Sequence, residues 1–299
     1  MNLMIGALIV NKDKGMTSHD TVSVVRRLLK MRRIGHTGTL DPMATGVLIL
    51  LLGPATRLTR FLKGLDKTYR AWVRLGETTA TYDTESEVLD RRPVDVTRED
   101  VEKALAAFRG RIMQTPPMYS AIRHKGKRLY DLARKGESVE VKPRPVTIER
   151  LEIVNWASPD LTVDVRCSSG TYIRSLAHDI GQALGCGGHL YALTRTANGP
   201  FTLDESHTVD ALYRLHQQDK FDEARLSPSQ VLRFLPRTVL NGDQAWDVRH
   251  GQRLVLDLDT ESGYLRACTA EGTLICVLKR VDTHLWQPKV VLPTQQNES

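Results

Sequence analysis

DKTYRAWVRLG, residues 66–76, alternates without a break: Tyr69, Ala71, Val73 and Leu75 point one way, Arg70, Trp72 and Arg74 the other. A period of two is that of a pleated strand with one buried and one wet face. Such strands build antiparallel sheets, whereas a strand covered on both faces reads as an unbroken apolar run. One run of that second kind is present, Val47 to Leu52 (VLILLL). Around these two, strands are expected at residues 7–11, 146–156, 161–168 and 189–196. A turn at Ser158, Pro159 and Asp160 joins the second and third of these. Helices are expected at 18–30, where Ser18 is the candidate N-cap, after Gly53 through Phe61, and at 97–108, 171–184 and 209–216. Thr97 and Asp100 have capping-box spacing. Residues 115–122 carry two prolines and read as loop, and 127–135 as a short basic helix. Strands and helices mix without a βαβ rhythm. The fold class is therefore α+β, with a mixed, largely antiparallel central sheet and flanking helices.

After Phe201 the character changes. A boundary falls near residues 228–236, and 240–292 read as short strands with turns at Asn241-Gly242, at 261–263 and at Glu271-Gly272. That is a small β-domain of barrel type. The domains expected are 1–235, with a basic insertion at about 110–145, and 236–299.

The 299 residues carry 42 Lys+Arg against 35 Asp+Glu, a net of +7. Residues 1–200 hold +10 and residues 201–299 hold −3, and the thirty residues from Ala121 alone hold +5. A localised basic field suits a polyanion, because neutralised phosphates release counterions. No apolar stretch reaches the roughly 18 residues of a membrane span, and the N-terminus lacks the features of a signal peptide, so the cytoplasm is the expected location. Cys167, Cys186, Cys268 and Cys276 show no CxxC spacing and read as buried thiols, neither a disulfide framework nor a zinc site.

The densest chemical signal is GHTGTLDPMATG, residues 35–46. Glycines are costly to order, and the polar groups of such a loop must all find partners. No Lys-Ser/Thr follows its last glycine, so it is not a Walker loop. An ordinary turn and a rigid loop presenting Asp41 and His36 to a substrate both remain open on composition alone.

This loop resembles the catalytic motif of the TruB family of tRNA pseudouridine synthases. Four further segments match in order: NKDKGMTSHD (11–20), DKTYRAWVRLG (66–76), FRGRIMQTPPMYSAIRHKGKRLYDLARKG (108–136) and CSSGTYIRSLAHDIG (167–181). The resemblance implies the pseudouridine synthase fold with a C-terminal RNA-binding barrel of PUA type. It implies Asp41 as the catalytic carboxylate, Tyr69 stacked on the target base, and Arg174 paired with Asp41. His36 would hold or displace the flipped nucleotide, and Tyr172 and Leu193 would line the pocket. Arg123, Lys125, Lys127 and Arg128 would grip the RNA backbone. The family's Lys-Pro falls at Lys14-Gly15. The implied partner is the T stem-loop of tRNA, with uridine 55 as target, no obligate protein partner and a monomeric state.

The implied reaction breaks the N1–C1′ bond of uridine, turns the base and rejoins it through C5. No atom or electron is gained or lost, so no nicotinamide, nucleotide or metal cofactor is expected. A carboxylate can trap the detached sugar or add to the base, and the residues leave both open. A guanidinium partner favours its ionised form. Base eversion costs a few kcal/mol, which phosphate contacts can offset. Three other readings remain: an RNA chaperone, a synthase for another RNA, and a glycoside-type hydrolase. The last needs a second carboxylate, which the matched motifs do not offer.

Overall fold

The computed structural model describes residues 4–120, 123–124, 126–133, 139–258 and 260–293. Its centre is a ten-stranded mixed sheet. In order across the main path run the strands Arg225–Leu226, Gly6–Lys12, Thr45–Leu52, Gly188–Asn198, Lys67–Leu75, Asp160–Cys167, Arg144–Ala157 and Gly110–Gln114. Among the described residues every pairing in this sheet is antiparallel except one, where Thr194 and Arg195 run parallel to Thr45 and Gly46. That junction joins the two halves of the sheet, and the candidate site is built over it.

The strand Lys67–Leu75 alternates buried and half-buried along its whole length, as its sequence requires. Its wet face is laced by Arg70 on Asp164 and Arg74 on Asp160, both directly opposite on the neighbouring strand. Exposed pairs of this kind set register more than stability. From Val47 onward the strand Thr45–Leu52 is apolar throughout because both its faces are covered. Leu48, Leu50 and Leu52 enter one core with the helix Ser18–Leu28, while Val47, Ile49 and Leu51 enter a second core on the other face. Each such buried aliphatic contributes about 1.5–3 kcal/mol.

The second core also takes in Cys268, Leu274, Val277, Val290 and Leu292 from a separate five-stranded sheet and the residue after it. That sheet holds the strands Arg237–Val239, Leu254–Val255, Tyr264–Cys268, Leu274–Arg280 and Leu285–Val291. Its other face closes on Leu265, Ile275, Leu278 and Trp286 under the helix Gly242–Arg249. It is thus packed against the main sheet through shared apolar side chains. All four cysteines are buried and free, as expected.

Several expectations shift locally. Asn241-Gly242 is not a hairpin turn: the Asn241 side chain accepts from the Gln244 amide and caps a helix. Asx side chains serve caps and turns by the same bond, so the dipeptide alone does not discriminate. The first helix is capped by Thr17 rather than Ser18. Of the expected basic helix, Leu129–Ala133 is helical, Lys127–Arg128 instead pairs with Arg123–His124 as a two-stranded ribbon, and residues 134–135 lie outside the described residues.

Candidate active site

Asp41 sits in the loop before Thr45–Leu52, and every backbone carbonyl from residue 38 to 42 has a donor. Arg195, buried in the adjoining strand, donates from Nη2 to Gly38 O at 3.1 Å, from Nη1 to Thr39 O at 3.4 Å and from Nε to Val47 O at 2.7 Å. Ser18 Oγ donates to Leu40 O at 3.1 Å and accepts from the Leu40 amide at 2.8 Å. The Ala44 amide closes on Asp41 O at 3.0 Å, and the Gly15 amide on Pro42 O at 2.8 Å. Lys12 Nζ reaches Pro42 O at 3.4 Å. The backbone of residues 38–42 is therefore ordered with every carbonyl satisfied, the condition a loop of glycines and threonines imposes, while Thr37 Oγ1 is buried without a hydrogen-bond partner among the described residues.

Gly46 closes the loop and is obligatory. Its φ is +104°, and a Cβ there would lie 2.2 Å from Arg195 O and 2.8 Å from Arg195 N. Only a residue without a side chain lets the two strands approach in parallel at this point.

Arg174 lies in the first turn of the helix Ile173–Ala183 and uses all three of its nitrogens. Nε pairs with Asp41 Oδ2 at 3.0 Å, and Nη2 donates to Asp41 Oδ1 at 3.4 Å. Nη2 also donates to Tyr119 O at 2.9 Å, and Nη1 to Thr81 O at 3.3 Å. Nη1 meets Asp83 Oδ2 at 3.4 Å. Asp83 is fully buried, its Oδ1 accepting from Thr81 Oγ1 at 2.5 Å and the Glu85 amide at 2.9 Å. One guanidinium thus lies between two carboxylates, of which only Asp41 is open to the pocket: its side chain keeps 35% of its surface exposed.

Burial drives the Asp41 carboxyl above the ordinary carboxylate range, the Arg174 guanidinium pulls it back, and the neighbouring Asp83 raises it further. The guanidinium thus lowers the carboxyl but does not win outright. Burial likewise raises the Tyr69 and Tyr172 phenols, which keeps both uncharged. Lys12 and Lys67 are each lowered to about 8, chiefly by burial.

The pocket, about 530 Å³, is lined by Asp41, Tyr69, Tyr172, Arg174 and Leu193, drawn from four separate stretches of the chain. It falls within the usual range for ligand sites, roughly 300–1,000 Å³. Tyr69 stands opposite Arg195 across the central pairing, and a bulge between Arg195 and Ala197 adjusts that strand locally. Tyr172 is held by Gln114, whose side chain accepts from its amide at 2.8 Å and donates to its carbonyl at 3.0 Å. Tyr119, Ser120 and Tyr130, from the insertion, complete one wall. His36 ends the short strand Ile34–His36 beside this loop and is not among the lining residues. Burial and the nearby Arg195 lower its imidazole, so it is a neutral ring.

Lys125 lies outside the described residues, and of Arg123, Lys127 and Arg128 the structure describes the backbone ribbon alone. Lys14, the expected motif lysine, is exposed, and the lysine that reaches the Asp41 loop is Lys12. Sequence reasoning missed Asp83, Arg195 and Glu85, the last a further carboxylate in the pocket wall. Arg195 carried a signal, a charge in the middle of the strand ALTRTA. Asp83 and Glu85 carried none.

The family described as TruB family pseudouridylate synthase, N-terminal domain, matches residues 26–173. The tRNA pseudouridylate synthase B C-terminal domain matches residues 174–244. A tRNA pseudouridine synthase B of Burkholderia pseudomallei strain 668 is 43% identical over 294 residues, covering 96% of this chain and 97% of that one. One from Dehalococcoides mccartyi is 41% identical, covering 98% of each. Among solved structures, an H/ACA RNP bound to a substrate RNA containing 2'-deoxyuridine superposes with a TM-score of 0.77 at 25% identity, over 98% of this chain and 87% of that one. A Cbf5-Nop10-Gar1 complex gives 0.75 at 27% identity, over 95% and 80%.

Proposed function

Because this chain belongs to the TruB family of pseudouridylate synthases, we propose that its target is the T-loop uridine at tRNA position 55, everted into the pocket around Asp41. The enzyme isomerises uridine to pseudouridine in tRNA. The observation that carries the site assignment is the fork from Arg174 to Asp41, 3.0 and 3.4 Å, at the base of a pocket walled by tyrosines.

In this reading Tyr69 stacks on the everted base, and its neutral hydroxyl stays uncharged beside the uracil. Asp41 supplies the carboxylate for cleavage and re-formation of the glycosidic bond. The C1′–N1 bond breaks, C1′ bonds to C5, the C5 proton leaves and N1 is protonated, so atoms and electrons balance. Arg174 holds Asp41 in one orientation and keeps a charged form accessible against the pull of burial. Tyr172 and Leu193 pack on the base, and His36 takes part in holding the nucleotide flipped. Arg123, Lys125, Lys127 and Arg128 bind backbone phosphates from the insertion at about 110–145.

We further assign residues 1–235 to the catalytic domain and 236–299 to a PUA-like RNA-binding domain, with the T stem-loop of cytoplasmic tRNA as partner of a monomer. Cys268, Leu274 and Val277 share a core with the main sheet, which favours one rigid body over a tethered appendage.

The test is an unmodified T-arm hairpin incubated with the protein and read by carbodiimide labelling of pseudouridine. One product at position 55 is expected, and none with Asp41→Asn, which should still bind the hairpin. Modification at another uridine, or turnover by Asp41→Asn near that of the native enzyme, defeats the assignment.

A further inference from the structure

Tyr82 has φ +61°, the left-handed region. A bulky L-residue there costs about 1–2 kcal/mol, so the surrounding structure must hold it. Its amide donates to Thr79 O at 3.3 Å, and its carbonyl accepts from the Leu190 amide at 2.9 Å. Its ring lies on the imidazole of His178, centroids 3.9 Å apart and planes 15° from parallel. His178 Nδ1 is buried without a hydrogen-bond partner among the described residues. Burial lowers its basicity, which keeps the stacked ring neutral.

This pair sits directly behind the catalytic fork. The residues on either side of Tyr82 are the two that Nη1 of Arg174 touches, Thr81 through its carbonyl at 3.3 Å and Asp83 through its carboxylate at 3.4 Å. His178 stands four residues after Arg174 on the same helix, one turn away on the same side. The stack thus ties the segment holding Arg174 from behind to the helix that carries Arg174.

We propose that the Tyr82–His178 stack is a clamp that positions Arg174: it presses the left-handed turn at Tyr82 against the helix and so keeps Thr81 and Asp83 on Nη1. With that edge of the guanidinium pinned, Nε and Nη2 are left aimed at Asp41. Neither ring touches substrate, so both are positioning residues. This inference rests on the proposed roles of Asp41 and Arg174.

Turnover and KM are measured on a full tRNA transcript. His178→Ala should lower kcat by about tenfold to a hundredfold, the scale of a misplacement near 1 Å, with KM within about twofold of native. His178→Phe restores a flat ring and should recover most of the loss. Tyr82→Gly removes the ring and also the backbone strain, since glycine accepts φ > 0 freely, and should match His178→Ala. Native kcat in either His178→Ala or Tyr82→Gly overturns the clamp, and so does a loss that His178→Phe fails to recover. Asp41→Asn is assayed beside them. An active Asp41→Asn removes the underlying site assignment, whereas an inactive one with unimpaired His178→Ala removes the clamp alone.

Discussion

Replacing Arg174 by lysine keeps the positive charge and removes the fork. Arg174 meets Asp41 with two nitrogens, at 3.0 and 3.4 Å, while a third nitrogen lies 3.4 Å from Asp83. A lysine ammonium is a single point and cannot span both carboxylates and two backbone carbonyls from one position. At least one charge-assisted bond to Asp41 disappears, worth roughly 1.5–3 kcal/mol. If that bond orients the reacting carboxylate, the deficit falls on the transition state, and about 1.4 kcal/mol per decade converts it to a fall of about ten- to a hundredfold in rate. The guanidinium does not bind RNA phosphate in this geometry, so affinity should move little. The assay is single-turnover pseudouridine formation on saturating tRNA transcript, with Kd from filter binding. An Arg174→Lys rate within about threefold of native, or a weakened Kd at unchanged rate, would refute the claim that Arg174 acts by orienting Asp41.

Asp83→Asn removes the negative charge that raises the Asp41 carboxyl. Asp41 then ionises more easily, its pKa falls, and the acid limb of kcat should shift to lower pH; a limb that stays put or moves up contradicts that electrostatic account. Gly46→Ala should destabilise the fold by about 2–3 kcal/mol, because a Cβ meets backbone at 2.2 Å in a left-handed conformation. A melting temperature equal to native would mean the strands part without cost. Neutralising Lys125, Lys127 and Arg128 together should weaken tRNA binding and flatten the slope of log K against log salt by about 2–3, near one unit for each phosphate left without its cation; an unchanged slope takes the insertion out of the interface.

The loop carrying Asp41 stood out before any fold was known because it is compositionally expensive, but its resemblance to the TruB motif, not its composition, singled out the aspartate; the strand carrying Tyr69 was legible from its period of two, which survives intact in the structure. Asn241-Gly242 shows the limit of such local reading. The same Asx-to-amide bond serves a hairpin and a helix cap, and the choice is settled by the chain that packs around the dipeptide. Lys12 and Lys14 sit two residues apart in a polar run, yet only Lys12 turns inward to the loop. A slip of two along a strand end is invisible until the strand is paired.

Patterning along the chain was enough to establish an α+β sheet protein, a basic insertion and a carboxylate in a glycine-rich loop, since periodicity and composition are local properties. Folding in three dimensions was needed to bring Asp83 behind Arg174, to turn Arg195 under the loop and to lay Tyr82 on His178. Those contacts join residues about ninety to one hundred and sixty apart, and a short-range pattern holds no information about which distant charge or ring will meet it. Electrostatics follow the same division: an aspartate's ordinary acidity is a property of its side chain, but the upward shift of Asp41 belongs to the walls and charges that the fold gathers round it.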